Sequence, residues 1–385
     1  MSDRDILIDV SRLIWRLWRG GLPTGVDRVC LAYVKHYRAR AQAVVQRRGR
    51  HFVLTPKHSD ELFALFDRFG SDLHGKLARL AVPAFAAARK DPDRKGLLYL
   101  NVGHTGLEES SLPAWIKRSA IRAVFLIHDL IPLLNPEYCR PGESAKHERR
   151  MLNVLKSAHG VIGNSQATVD DLARFAAGAG LPMPPAVAAW IAGPDLPPDF
   201  SPKTFNRAHF VTVGTIEARK NHLLLLQVWR RLIARDPAST PLLVIVGQRG
   251  WEASQTFAML DRAAALRGHV VELARCGDAE LAGLIAGARA LLMPSFTEGF
   301  GLPVSEALQL KSPVIASDLP VFREFAGEIP TYLDPLDGVG WQSAITEFMG
   351  NSPEYERQKR ALRSYCAPDW QRHFEVVDPW LNSLQ

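Results

Sequence analysis

The second half of this 385-residue chain alternates short apolar runs with longer amphipathic segments, and that rhythm leaves few folds open. The run His209-Phe-Val-Thr-Val-Gly214 ends in glycine, as strands buried in a parallel sheet do. Residues 221–235 then carry helical spacing, and Asp236-Pro237 stops it. The pattern repeats, with strands expected at 242–247, 270–273, 291–294 and 314–316. Helices are expected at 254–266, 279–288, 303–310 and 320–325. Such alternation specifies an α/β domain with a doubly wound parallel sheet and helices on both faces. Ligands in these domains bind at loops leaving the carboxyl ends of strands.

The first half is less regular but of the same kind. Strands are expected at 6–10, 96–102, 124–128 and 161–163, and helices at 25–38 and 168–175. Prolines 182, 184, 185, 194, 197, 198 and 202 crowd the junction, where 186–191 reads as a last strand of the first domain. The expected division is therefore a domain over 1–196, a linker over 197–206, a second domain over 207–367 and a final piece over 368–385. Within that piece 370–384 is an amphipathic helix bracing the first domain. Two domains of ordinary size fit the length.

Composition narrows the partners. Lys and Arg outnumber Asp and Glu by 47 to 40, for a net charge of +7. Nucleic acid, an anionic membrane face or a phosphorylated substrate would each answer that charge. Cys30, Cys139, Cys276 and Cys366 show neither metal-ligand spacing nor a disulfide framework. There is no signal-peptide core and no run near the roughly 18 apolar residues of a membrane span. The expectation is a soluble, cytoplasmic protein. Peripheral contact with an anionic membrane, at the inner face of the plasma membrane, is a further option. Arg12-Leu-Ile-Trp-Arg-Leu-Trp-Arg19 and residues 73–90 mix basic and apolar side chains; they read either as membrane-facing or as amphipathic core elements.

Four loops carry the chemistry. In Pro294-Ser-Phe-Thr-Glu298-Gly-Phe-Gly301-Leu-Pro303 a strand runs through a glycine-bearing loop into a helix whose first turn holds a proline. Gly299 and Gly301 allow close backbone approach, and the helix start offers N–H groups to a phosphate. Glu298 and Glu306 bracket this loop and would repel an anion, so sugar hydroxyls are their natural partners. Equally, Glu306 complements the helix dipole from the first turn and the glycines form an ordinary turn. In Gly214-Thr215-Ile-Glu-Ala-Arg219-Lys220-Asn221 the two cations could neutralise a diphosphate, or simply be solvated. His128 closes the run Val124-Phe-Leu-Ile-His128-Asp129, either facing a cleft or held structurally by Asp129 or a carbonyl. Gly20-Gly21-Leu-Pro-Thr24-Gly25-Val-Asp27 could meet a phosphate or acceptor, or be a loop with a helix cap at Thr24.

Taken together these motifs resemble the retaining glycosyltransferases of family GT4. The likeness rests on Glu298-Gly-Phe-Gly-Leu-Pro-Val-Ser-Glu306, Ser312-Pro-Val-Ile-Ala-Ser-Asp-Leu-Pro-Val-Phe-Arg-Glu324 and Val213-Gly-Thr-Ile-Glu-Ala-Arg-Lys-Asn221. Val161-Ile-Gly-Asn-Ser-Gln-Ala-Thr168 and Cys276-Gly-Asp-Ala-Glu-Leu281 add to it. Residues near 44–95 have no counterpart, and Leu308-Gln-Leu-Lys-Ser312 replaces a stretch that in the family is small and glycine-bearing.

The resemblance implies a GT-B fold, two Rossmann-like domains facing across a cleft, with the nucleotide sugar on the second and the acceptor on the first. It implies Arg219 and Lys220 on the diphosphate and Glu298 on sugar hydroxyls. Gly214, Thr215 and the backbone of Gly299, Phe300, Gly301 and Leu302 would lie around sugar and phosphate, and Glu306 on the ribose. His128 would sit at the donor sugar and Gly25 near the phosphate. Catalysis would fall to His128, Arg219, Lys220 and Glu298, with no metal and no cofactor beyond the donor itself. With no carboxylate nucleophile evident, same-face attack with retention is expected, the departing phosphate taking the acceptor proton. His128-Asp-Leu-Ile-Pro-Leu-Leu-Asn-Pro-Glu-Tyr138 resembles transferases of bacterial surface polysaccharides, which favours a GDP-sugar such as GDP-mannose over a UDP-hexose. The acceptor would be a glycan or lipid-linked oligosaccharide. A basic nucleic-acid-binding or assembly protein on a degenerate transferase scaffold is the alternative class. No nucleic-acid module signature supports it.

Overall fold

In the computed structural model the chain forms two compact units, each built on one sheet. The structure describes residues 4–384 apart from 21–22, 68–72, 194 and 198. The N-terminal unit comprises Met1–Leu133, Gly142–Ile191 and Asp369–Gln385. Its strands are β1 (Ile6–Asp9), β2 (Ala41–Arg47), β3 (Arg50–Val53), β4 (Leu98–Asn101), β5 (Arg122–Ile127), β6 (Gly160–Gly163) and β7 (Ala186–Ala188). They lie in the order β3-β2-β1-β4-β5-β6-β7, all parallel except the β2–β3 hairpin. Tyr99, Trp115 and Phe125 fill the core beside this sheet.

The C-terminal unit comprises Leu134–Pro141 and Ala192–Pro368. Its strands are β8 (His209–Val213), β9 (Leu242–Val246), β10 (Val270–Leu273), β11 (Leu291–Met293), β12 (Val314–Ser317) and β13 (Thr331–Leu333). They form an all-parallel sheet in the order β10-β9-β8-β11-β12-β13. Phe210, Trp229, Trp341 and Phe348 anchor its core. The chain winds outward from β8 to β10, returns to the centre at β11 and winds the other way. The loops leaving β8 and β11 therefore emerge side by side, with Val211 in register with Leu291. In open parallel sheets this switch point is where a crevice opens for ligands.

Two chain segments shift the expected boundaries of 1–196, 197–206 and 207–367. The division falls at Ile191, and the residues after it are no free linker. Lys203 N–H donates to Gly283 O at 2.8 Å and its Nζ lies 3.1 Å from Glu280, which fixes that stretch to the helix Asp278–Gly287. Leu134–Pro141 belongs to the C-terminal unit although β7 follows it in sequence. The Tyr138 ring stacks on Phe296 at 5.2 Å, Trp251 Nε1 donates to Tyr138 O at 3.2 Å, and the Arg140 guanidinium lies 4.6 Å from the Trp251 ring. The last helix, Trp370–Ser383, packs within the N-terminal unit, where His373 Nε2 lies 2.8 Å from Tyr33 OH and Phe374 stacks on His36. Among the described residues no helix is long and apolar enough to cross a membrane.

Candidate functional site

The site assembles from the two loops at the C-terminal unit's switch point. β8 ends at Val213, and Gly214 follows with φ +142°. A Cβ at Gly247, just past β9, would overlap the Gly214 carbonyl oxygen, so these strand ends meet only because 247 is glycine. A single 3-10 turn, Ala218–Lys220, then presents Arg219 and Lys220. Asn221, at φ +54°, turns the chain into the helix His222–Arg235, and its Nδ2 donates to Pro335 O at 2.9 Å. The loop after β11 is locked to this one through its backbone. Phe296 N–H donates to Arg219 O at 2.9 Å, and Arg219 Nη1 donates to Thr297 O at 2.8 Å.

Charge then converges on Glu298, whose side chain is only 6% exposed. Its Oε2 lies 2.7 Å from Arg219 Nη1 and its Oε1 2.7 Å from Lys220 Nζ. Arg219 Nη2 also reaches Glu217 at 2.7 Å. Two cations thus meet two carboxylates. Burial pushes the Glu298 carboxyl up, but Arg219 and Lys220 outweigh it and hold it down to about 2. The Lys220 ammonium is lowered as well. Burial lowers the Lys220 ammonium, Glu298 pulls it back up, and Arg219 lowers it again. A depressed carboxyl stabilises the fold above its ordinary value of 4.5, a contribution lost as pH falls through about 2. The two cations expected on a diphosphate and the carboxylate expected on sugar hydroxyls are thus paired with one another. Each Glu298 oxygen is already ion-paired with one cation, because the two loops are close enough to close the pairs. An ionised carboxylate still has acceptor capacity left.

The helix Leu302–Gln309 supplies the third part. Pro303 sits in its first turn, as the sequence predicts. Among the described residues, the N–H groups of Gly299, Phe300, Gly301 and Leu302 donate to no partner. Successive open N–H groups leading into a helix start suit an anion. Phe300 contributes only backbone, since its ring is buried and stacked on Phe325 at 4.7 Å. Gly301 is needed for a reason other than ligand approach. Its φ is +93°, and a Cβ there would overlap the Phe322 ring. Gly301→Ala should therefore cost about 3 kcal/mol from backbone strain and the clash together, read as a lowered thermal midpoint. An unchanged midpoint would contradict this packing. Glu306 is the fifth residue of the helix, beyond the first turn where the dipole acts, and its side chain lies against Gly193. Thr215 lies beside Gly250 in the same rim of loops.

His128 and Gly25 lie in the N-terminal unit. His128 follows β5, is buried, and donates from Nε2 to Val102 O at 2.8 Å. Burial pushes its imidazolium down to about 4, so the ring is neutral near neutral pH. Asp129 accepts from Ile131 N at 3.1 Å, a local turn bond, so it caps. Asn164, quoted in the sequence motif without a role, holds the backbone here by donating Nδ2 to His128 O at 2.8 Å. Gly25 opens the helix Gly25–Tyr37, and the Thr24 N–H and hydroxyl donate to Asp27 at 2.8 and 2.6 Å. Arg12 and Arg16 hold the same buried carboxylate at 2.7 and 2.8 Å. The Gly21 and Leu22 part of that motif lies outside the described residues. Among the described residues no group of three metal-ligating side chains is assembled.

Tyr138 is the residue sequence reasoning passed over. Its stack on Phe296 steadies the loop two residues before Glu298. Tyr138→Ala should raise the KM for the donor about fivefold, the effect of losing roughly 1 kcal/mol of ring stacking, while Tyr138→Phe keeps it. Equal behaviour of the two variants would remove this role.

Residues 199–363 match the family described as Glycosyl transferases group 1. That span contains every strand from β8 to β13 and both loops of the site. This stretch is a group 1 glycosyl transferase domain. The resemblance to family GT4 read from the Glu298–Glu306 motif is thereby borne out. Over 239 residues the chain is 32% identical to the serotype-specific mannosyltransferase WbdA of Escherichia coli, covering 54% of this chain and 28% of that protein. It is 31% identical over 186 residues to the O-antigen chain mannosyltransferase RfbU of Salmonella typhimurium, covering 48% and 49%. The chain thus spans between about a quarter and a half of the relatives it matches. Among solved structures, Anabaena HepE in complex with UDP-glucose superposes with a TM-score of 0.67 at 15% identity, over 98% of this chain and 99% of that one. Sucrose-phosphate synthase of Thermosynechococcus elongatus gives 0.66 at 14%, over 99% of each. At such identities the likeness speaks to fold, and the two-domain GT-B expectation holds around the group 1 domain.

Proposed function

We propose that the chain moves a hexose, mannose from GDP-mannose by preference, to a hydroxyl of a glycan or lipid-linked oligosaccharide in bacterial surface polysaccharide synthesis. One observation carries the reading. Two strand-end loops at the switch point bring Arg219 and Lys220 onto Glu298, beside the open N–H groups of Gly299 to Leu302. The choice of mannose leans on WbdA and RfbU being mannosyltransferases.

The departing nucleoside diphosphate is the group whose charge must be met as the glycosidic bond breaks. Arg219, Lys220 and the helix start meet it with fixed positive charge and oriented dipoles, in a site that needs little reorganisation. As the C–O bond lengthens toward an oxocarbenium-like state, Glu298 accepts from a sugar hydroxyl with its remaining capacity. Glu306 takes the ribose. With no carboxylate assigned as nucleophile, the acceptor hydroxyl attacks the same face and its proton passes to the leaving phosphate, giving retention. His128, kept neutral, contributes a hydrogen bond to the donor sugar. The acceptor falls to the N-terminal domain, and a lipid-linked acceptor brings the protein to an anionic membrane surface.

A panel of GDP- and UDP-sugars, assayed for nucleotide release with and without a mannan-type oligosaccharide, tests the reading. GDP release dependent on GDP-mannose and acceptor is expected. Release from a UDP-hexose alone would reassign the donor, and release from none would remove the transferase reading.

A further inference from the structure

The N-terminal unit contains an apolar cavity that the transferase site does not use. It has a volume of about 290 Å³ and lies between the helices Ser11–Trp18 and His74–Ala87 and the edge of β2. Trp15, Trp18, Leu77, Leu80, Ala81 and Phe85 supply most of its apolar wall. Its mouth is open to solvent. Trp15 and Trp18 are each 47% exposed, and Val82 on the second helix is 76% exposed. Half-exposed tryptophans belong at a boundary between water and hydrocarbon.

The two helical segments that flank the cavity carry charge of one sign. The segments 11–20 and 73–90 carry Arg12, Arg16, Arg19, Lys76, Arg79, Arg89 and Lys90 and not one acidic residue. Arg12 and Arg16 are committed to Asp27. Arg19, Lys76 and Arg79 are exposed and form no ion pair with a described residue. An apolar hollow between two helices whose exposed cations pair with no described residue fits a ligand with a hydrocarbon chain and an anionic head.

We propose that this cavity seats one hydrocarbon chain of an anionic lipid in a bilayer, with Arg19, Lys76 and Arg79 on the phosphate headgroups and Trp15 and Trp18 at the chain–headgroup boundary. It deepens the reading of a lipid-linked acceptor by giving the membrane a defined seat. The binding itself does not depend on which sugar is transferred.

The test uses the full chain and sedimentation with vesicles of equal parts phosphatidylcholine and phosphatidylglycerol, against phosphatidylcholine alone. Binding is expected to the anionic vesicles and to fall steeply as salt shortens the range of the charges. The triple variant Arg19→Gln, Lys76→Gln, Arg79→Gln should weaken it about a hundredfold. Ala81→Trp, which plugs the hollow and leaves the charge, should weaken it about tenfold and reduce quenching of tryptophan fluorescence by chain-brominated lipid. Soluble glycerophosphate should not compete. GDP-induced thermal shifts, measured on each variant, report the donor site separately: intact shifts with lost vesicle binding support the proposal. Vesicle binding that is absent at low salt, indifferent to lipid charge, or unchanged in both variants would overturn it, as would full competition by glycerophosphate. A chain that binds vesicles as described yet transfers no sugar would sink the transferase reading and leave this one standing.

Discussion

Sugar transfer falls by about a hundred- to a thousandfold in Arg219→Ala and in Lys220→Ala, the scale of removing one fixed charge-stabilising donor from a transition state. Each cation is aimed by backbone it does not control. Arg219 is held by Thr297 O and Glu217, and Lys220 by the turn that leads into Asn221. Their geometry exists before substrate arrives. The two variants differ in stability. Lys220 is nearly buried, as is Glu298, so breaking this pair costs about 3 kcal/mol, at the low end for a broken buried pair because Arg219 still faces the carboxylate. Arg219 is more exposed, and its loss should cost less. Rates must therefore be compared well below the lower melting point, with the fold checked by circular dichroism. Undiminished transfer in both variants would remove the diphosphate role from this loop.

Glu298→Gln gives the second large effect, and in a sense opposite to intuition. Transfer drops by about a hundredfold or more, yet affinity for free GDP rises by about tenfold. In the wild type, Glu298 occupies the cations proposed to hold the diphosphate, and both its oxygens are engaged at 2.7 Å. A neutral glutamine leaves those cations short of negative charge, and an incoming diphosphate restores the balance. The variant alone should be destabilised by about 3–5 kcal/mol, since buried Lys220 and half-buried Arg219 lose a counter-charge. GDP should then restore more of its melting temperature than it adds to the wild type. Calorimetry with GDP and thermal unfolding with and without it read both effects. GDP affinity that falls along with transfer would mean that Glu298 acts mainly through the nucleotide, and the competition described here would be wrong.

The legible and illegible parts of this chain separate along physical lines. β8, β9 and β11 were readable to within a residue because strands buried on both faces need uninterrupted apolar runs, as in Leu242–Val246. β2 was not readable. Its Gln42 and Gln46 are buried, with their side-chain N–H groups donating to Leu54 O and to Asp9 and Tyr99, and such partners lie far away in sequence. β3 carries Arg50 and His51 in four residues, and half of the helix Pro353–Ser364 is charged, so neither shows a clear period. At the site, strand-end loops and a helix start were visible as Gly214, Gly301 and Pro303. The closing of Glu298 onto Arg219 and Lys220 was not, because it depends on β8 and β11 being neighbours in the sheet. For the same reason Tyr138 was read as part of a motif in the first half, although its ring rests on Phe296.

On the proposed function, these loops form a diphosphate site that reads a nucleotide sugar. Calorimetric titration of the full chain with guanosine, GMP, GDP and GDP-mannose tests it most directly. Binding should be weak for the nucleoside, gain steeply from GMP to GDP, and be lost for GDP in the Arg219→Ala, Lys220→Ala double variant. Equal affinity for guanosine and GDP, or GDP binding that survives the double variant unchanged, would contradict it.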